Sequence, residues 1–290
     1  MKSVCKIIIL GSTGQLGTAL KQVYQNNDRY ISTFLNRRSV NLSRTESIHK
    51  LKDYDFDILI NTAAYTAVDK AESQQRRCAK INALALEEIA AICQKKQALC
   101  VHFSTDYVYD NDLNRPLLET DPTTPKSTYG ITKLLGEKLL RAICKKHFII
   151  RTSWLYSRQG QNFVNTMIRL SKEKDEIRVV NDQIGSPTFV DDLALVTDKL
   201  ISLYREGNQQ SDLFGTYNFS NQGETTWYGL AKEVFRIKNI KTPLLPITTE
   251  DYPTPAKRPA YSVMDCTKIK AVTGMTIPDW QDGLRRCLED

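Results

Sequence analysis

Lys6-Ile7-Ile8-Ile9-Leu10-Gly11-Ser12-Thr13-Gly14-Gln15-Leu16-Gly17 decides the fold. Val4 to Leu10 is apolar and β-branched, the glycines then fall three apart, and Thr18 to Gln25 continues with helical spacing. A strand feeding a glycine turn and a helix opens a βαβ unit. There the backbone can turn tightly, approach a diphosphate and present free helix N–H groups and the positive helix end to it. A glycine trio alone is a weak signal, and its position at the head of a strand–helix rhythm is what gives it meaning.

The rhythm continues outward. Strands are expected at Tyr30 to Leu35, Asp57 to Asn61, Leu99 to Ser104 and Phe148 to Arg151. Helices are expected at Arg44 to Leu51, Cys78 to Lys95 and Tyr129 to Lys145. Apolar runs without strict alternation, separated by helices, imply a parallel sheet covered on both faces, so the fold class is α/β, Rossmann-type and doubly wound. Beyond Trp154 the pattern loosens into short strands (Ile177 to Val180, Thr216 to Phe219), helices and a Pro-rich stretch from Thr242 to Pro259. The expected division is a dinucleotide-binding domain over 1–155 and a smaller interwoven α/β substrate-binding lobe over 156–290, some of whose segments return to the first domain, because no Gly/Ser tether separates them.

With 290 residues and 41% apolar content the chain can bury a large core. The apolar run at the amino end is too short for a signal peptide or a membrane span. Seven scattered cysteines without a C-x-x-C pair suit small buried residues in a reducing, cytoplasmic setting. The net charge of +7 is spread thinly, with no basic run or aromatic stripe, which argues against nucleic acid.

Chemistry is carried by two blocks. Tyr129-Gly130-Ile131-Thr132-Lys133 puts a phenol and an ammonium four residues apart on one helix face. A cation beside the phenol is expected to lower its pKa so that it exchanges a proton near neutrality. Ser104-Thr105-Asp106-Tyr107-Val108 ends a strand, and the Thr105 hydroxyl is placed to bond the same substrate oxygen. A Tyr-x-x-x-Lys pair by itself is usually a plain helix face, but joined to the glycine loop and the Ser-Thr-Asp strand end it points to carbonyl reduction. Asn61-Thr62-Ala63-Ala64-Tyr65 ends a strand in small residues that let a cofactor pack on the backbone, which is also ordinary core packing. After the second strand no acid is present to grip a ribose. Asn36-Arg37-Arg38-Ser39 stands there instead, either a 2′-phosphate site favouring NADPH, with NADH as a further coenzyme, or a solvated surface pair.

Over nearly its whole length the chain resembles the dTDP-4-dehydrorhamnose reductase branch of the extended short-chain dehydrogenase/reductase family. Further blocks carry this: Asn61 to Glu72, Arg151-Thr-Ser-Trp-Leu-Tyr156, Asn181 to Thr188, Thr225-Thr-Trp-Tyr228 and Tyr252 to Pro259. The resemblance implies NADPH-dependent reduction of the C4 ketone of dTDP-4-dehydro-6-deoxy-L-mannose. Tyr129 would be the proton donor, Lys133 would hold the nicotinamide ribose and tune Tyr129, and Thr105 would orient the carbonyl. Asp106, Tyr129 and Trp154 would meet the sugar, while Asn162, Gly185 and Arg258 would face the nucleotide, Arg258 as a candidate for the diphosphate. The expected cofactor residues are Gly11, Thr13, Gly14, Gln15, Leu16, Gly17, Asn36, Arg37, Arg38, Asn41, Leu42, Ala63, Ala64, Tyr65, Asn82, Ser104, Tyr129 and Lys133.

Two departures from the family pattern matter. The acid after the second strand is missing, and a metal-bridging glutamate of some members is replaced by Ala19, so no metal is expected and a monomer or a homodimer remains open. Two other readings stay beside the reductase: a non-catalytic NADP-binding regulatory subunit, and a reductase of a related nucleotide 4-keto sugar.

Overall fold

The computed structural model describes residues 4–109, 113–207 and 211–289. Met1 to Ser3 of the leading stretch lie outside them. β1 (Cys5–Leu10) runs through the glycine turn into α1 (Gln15–Tyr24), followed by β2 (Tyr30–Leu35), α2 (Thr45–His49) and β3 (Ile58–Asn61). Three helices, α3 (Val68–Ser73), α4 (Gln75–Ala79) and α5 (Ala85–Lys96), precede β4 (Leu99–Thr105), and α6 (Thr128–Ile143) precedes β5 (His147–Thr152). Next come β6 (Leu155–Tyr156), α7 (Phe163–Leu170), β7 (Ile177–Val180), β8 (Ile184–Gly185), β9 (Thr188–Phe189) and α8 (Val190–Glu206). The chain closes with β10 (Gly215–Phe219), β11 (Thr225–Thr226), α9 (Trp227–Ile237), β12 (Leu244–Ile247), α10 (Thr267–Thr273) and α11 (Trp280–Leu288).

The main sheet is parallel throughout, in the order β2-β1-β3-β4-β5-β10. Successive residues of each strand feed opposite faces. Ile7, Ile9, Ile58 and Ile60 pack with α1 and α8, while Ile8, Leu10, Leu59 and Ile149 pack with α5 and α6. That is the doubly wound α/β architecture expected. A strand from beyond residue 155, β10, pairs with β5 in this sheet, and α8 lies on α1. The later chain also forms three small pairs, β6 with β9, β7 with β12 and β8 with β11, the last two backed by α7 and α9.

Strand order reverses between β1 and β3, and the crevice at such a point is where open α/β sheets bind ligands. Gly11 sits there with φ of 75°, and its N–H donates to Leu35 O at 2.9 Å, fastening the turn to the end of β2. A Cβ at Gly11 would lie 2.7 Å from Thr62 Oγ1 and 2.8 Å from Ala63 N, so only glycine leaves this cradle open.

Two elements differ from expectation. α1 begins at Gln15 and not at Thr18, because extended Gly14 serves as its N-cap and Gly17 is taken inside the helix. The helix expected over Cys78 to Lys95 is present but interrupted by a π-type turn over Lys80–Leu84. Asn82 in that turn spends its amide on Tyr65, accepting from Tyr65 N at 2.8 Å and donating to Tyr65 O at 3.1 Å. A widened turn that aims a polar side chain at a strand end is a recurrent device near sites. All seven cysteines are free thiols.

Candidate active site

The carboxyl end of β4 and the turn after it, Asp106–Val108, pack against the amino half of α6. Ser127 caps α6 by accepting from Gly130 N at 3.1 Å, and Glu72 of α3 accepts from both Thr128 N and Thr128 Oγ1 at 2.8 Å. These contacts fix the first helical turn, which carries Tyr129. The Tyr129 ring meets Tyr107 edge-on at 5.6 Å, and burial pushes its phenol well above the usual range, against the pull of the Thr105 hydroxyl. Thr105, the last residue of β4, donates to Asp106 Oδ1 at 2.9 Å. Burial raises the Asp106 carboxyl to about 6, offset in part by the hydroxyls of Thr105 and Ser262.

Lys133 corrects an expectation. Its Nζ is bonded elsewhere and not to the phenol, and burial raises the Tyr129 pKa where a neighbouring cation was expected to lower it. Nζ is drawn to β4, donating to Phe103 O at 2.6 Å and lying 3.0 Å from His102 Nε2. With 1% of its surface exposed, Lys133 is held down to about 8 by burial, with Glu137 opposing that shift. The four-residue spacing places both groups on one helix face. It does not say where a flexible amine points, and an inward carbonyl and imidazole outcompete a neutral phenol.

On the cofactor side, Thr13, Asn36, Arg37, Arg38, Asn41, Arg44, Glu46, Ser47 and Lys50 surround a cavity of about 1010 Å³. The guanidinium groups of Arg37 and Arg38 are exposed and have no ion-pair partner among the described residues. The side chains of Asn36 and Asn41 serve the turn: Asn36 accepts from Arg38 N at 2.9 Å and Asn41 from Ser43 N at 3.0 Å. Leu16, Leu42 and Ser104 point inward and are buried, which leaves only their main chain for a cofactor. Ala63 and Ala64 are half-buried, whereas Tyr65 is packed against Ala71 and Cys78. Gln15 Oε1 accepts from Ser157 Oγ at 2.7 Å and from Asn162 Nδ2 at 2.9 Å, tying the glycine loop to the later chain.

A second cavity of about 500 Å³ is lined by Phe163, Lys174, Arg178, Gln183, Trp227, Tyr252, Arg258 and neighbours. Arg258 donates to Tyr107 Oη at 3.1 Å and to Asp69 Oδ2 at 2.8 Å. Trp154, at φ of 45°, stacks on Trp227 with ring centroids 3.6 Å apart. Gly185 lies beneath this stack, and a Cβ there would fall 2.7 Å from the Trp154 indole. Asn162 is largely committed to structure, since its Oδ1 caps α7 by accepting from Asn165 N at 2.9 Å and its Nδ2 holds Gln15 and Ser157. Sequence reasoning did not single out Tyr107, which meets Arg258, or Gln183 and Trp227, which line the second cavity. All three stood inside the blocks that carried the resemblance, but nothing in the residues themselves singled them out.

A family model described as the RmlD substrate binding domain matches residues 5–290. The chain belongs to this family. dTDP-4-dehydrorhamnose reductase of Escherichia coli K12 is 38% identical, covering 98% of this chain and 97% of that protein. The spore coat polysaccharide biosynthesis protein SpsK of Bacillus subtilis is also 38% identical over 98% of the chain and 97% of its own length. Among solved structures, the Bacillus anthracis dTDP-4-dehydrorhamnose reductase in complex with NADP superposes with a TM-score of 0.90 at 37% identity, with 98% of each chain covered. A family member with this cradle and this Thr-Tyr-Lys set holds the parts a carbonyl reductase needs.

Proposed function

We propose that this chain reduces the C4 ketone of dTDP-4-dehydro-6-deoxy-L-mannose with NADPH, giving dTDP-L-rhamnose. The relatives named as reductases, and the one solved with NADP, support that reaction and that coenzyme. The observation that carries the residue assignments is Tyr107. Its ring packs on Tyr129 and its hydroxyl accepts from Arg258, so the proton donor and the group suited to a diphosphate are linked through a single side chain.

The fit to a dinucleotide rests on the open cradle at Gly11 and on the exposed Arg37 and Arg38 beyond β2, without an ion-pair partner among the described residues. Bound there, the coenzyme supplies the hydride for C4. Tyr129 gives its phenol proton to the ketone oxygen as negative charge builds on it, and its raised pKa keeps it protonated and ready to donate. Thr105 orients that oxygen, and Lys133 in its charged form stabilises the tyrosinate left behind. Trp154, Gly185 and Arg258 shape the side where sugar and diphosphate lie, in a substrate lobe drawn over 156–290. Free thiols throughout suit a cytoplasmic setting.

Isothermal titration with dTDP tests the nucleotide side. Binding by the wild type and at least about tenfold weaker binding by Arg258→Ala are expected. Equal binding by both would move the diphosphate to Arg178 or Lys174.

A further inference from the structure

His102 has no role in the reaction as derived above, yet it lies in the middle of the site's foundations. It is on β4, 2% exposed, with each ring nitrogen facing one polar side chain. Nε2 lies 3.0 Å from Lys133 Nζ, and Nδ1 lies 3.2 Å from Asn61 Nδ2. Asn61, the last residue of β3, uses its Oδ1 to accept from Ala63 N at 3.1 Å.

We propose that His102 is a positioning residue that docks Lys133 as a neutral amine, through a proton that Asn61 fixes on Nε2, so that protonation of Lys133 breaks its bond to His102 and, with Phe103 O as its remaining partner on β4, frees Nζ to turn toward the cofactor cleft. The inference deepens the reductase reading and rests on it for the role of Lys133.

A backbone N–H can only donate, so Ala63 N fixes Asn61 Oδ1 on its own side and turns the Asn61 NH2 toward His102. An NH2 group only donates, so His102 Nδ1 must accept. A neutral imidazole carries one proton, which therefore sits on Nε2 and points at Lys133. Nζ answers with a lone pair only as an amine, while its own N–H bonds donate to Phe103 O. Adding a proton to Nζ turns it into a donor only, and two donors then face each other across Nε2. The bond is lost unless Asn61 turns over, and that would set its NH2 against the Ala63 N–H. No electrons move in this step. One proton goes onto Nζ and one hydrogen bond, Nε2–H to Nζ, is given up.

The surroundings agree with a docked amine. Burial holds His102 well below the usual imidazole range, so it does not take the proton itself. On the helix of Lys133 the facing charge is Glu137, which is already paired with Arg151 of β5 at 2.7 Å. From α4 the facing group is Cys78, whose thiol burial pushes up and keeps neutral. From β4 it is His102 alone. Released, the ammonium lies on the same helix face as Tyr129, which is where the reaction needs it.

The test reads the imidazole directly. In wild-type protein carrying 15N- and 13C-labelled histidine, His102 is expected as the Nε2–H tautomer between about pH 6 and 9, with its Nε2 resonance shifting as Lys133 titrates. An Nδ1–H tautomer overturns the proposal. The second arm is His102→Gln, whose amide can turn its oxygen to an ammonium and so favours charged Lys133. The basic limb of kcat/KM is expected to move up by about one pH unit, with kcat kept within about threefold. A limb that stays in place in a variant melting like wild type also overturns it. The tautomer measurement needs no substrate, so failure to turn over the keto sugar would count against the reductase reading and leave this inference to be judged on its own.

Discussion

Tyr129 and Lys133 divide the pH dependence between them. Burial raises the phenol, so Tyr129 stays a proton donor through the working range, while the Lys133 ammonium, held down to about 8, is the group lost as pH rises. The kcat/KM profile should therefore fall above about pH 8 with one basic limb, measured as initial rates of NADPH oxidation. Tyr129→Phe should lower turnover by about 10² to 10⁴ while leaving NADPH affinity nearly intact, since it removes a proton donor and no phosphate contact. Turnover near the wild-type level in that variant would falsify the assignment. Asp106 gives a prediction of opposite sign for stability. Its folded pKa of about 6 lies above the ordinary 3.8, so the folded state is penalised once the carboxyl ionises. Asp106→Asn should gain about 2–3 kcal/mol at pH 8, seen as a raised Tm, and lose that gain below about pH 4, where both states are protonated. These side chains were legible from strand end and helix spacing. The direction in which Lys133 points was not, because the decisive partner, His102, lies 31 residues away and reads as a core residue of an apolar strand.

Strands were legible from their apolar, β-branched runs even where one face is open: Tyr30–Leu35, an edge strand with Ile31 exposed, and Ile177–Val180 fall on the expected bounds. Helices were less so. A cap at Gly14 and a π turn at Lys80–Leu84 are set by contacts with other elements, such as Asn82 holding Tyr65, and local propensity carries no trace of them. Gly185 belongs to this scale too. As part of β8 it lets the Trp154 indole lie flat against Trp227, and Gly185→Ala would bring a Cβ to 2.7 Å of that ring. The expected result is a loss of about 1–3 kcal/mol in thermal or denaturant unfolding, with a raised KM for the keto sugar and little change for NADPH. An unchanged melt and an unchanged KM would mean the stack yields without cost.

Across the whole molecule the sheet carries two packed faces, and the later chain is sewn to it by β10 beside β5, by α8 on α1 and by Gln15 reaching Ser157 and Asn162. Parallel apolar strands made this architecture readable from sequence, and a return of later segments was expected, whereas which segment returns and beside which strand, β10 beside β5, follows from pairing that a five-residue segment does not announce. The charge layout extends the same logic to the coenzyme. Arg37 and Arg38 flank a cavity that also holds Arg44 and Lys50, with Glu46 the one acid lining it. Replacing both Arg37 and Arg38 by Ala should raise KM for NADPH by about 10- to 100-fold and that for NADH far less. Equal effects on the two coenzymes would return these arginines to the solvated surface. The central claim is tested most directly by following NADPH oxidation with purified protein and dTDP-4-dehydro-6-deoxy-L-mannose and identifying the product by NMR. The account predicts turnover to dTDP-L-rhamnose. No oxidation by protein that binds NADPH, or a product epimeric at C4, would contradict it.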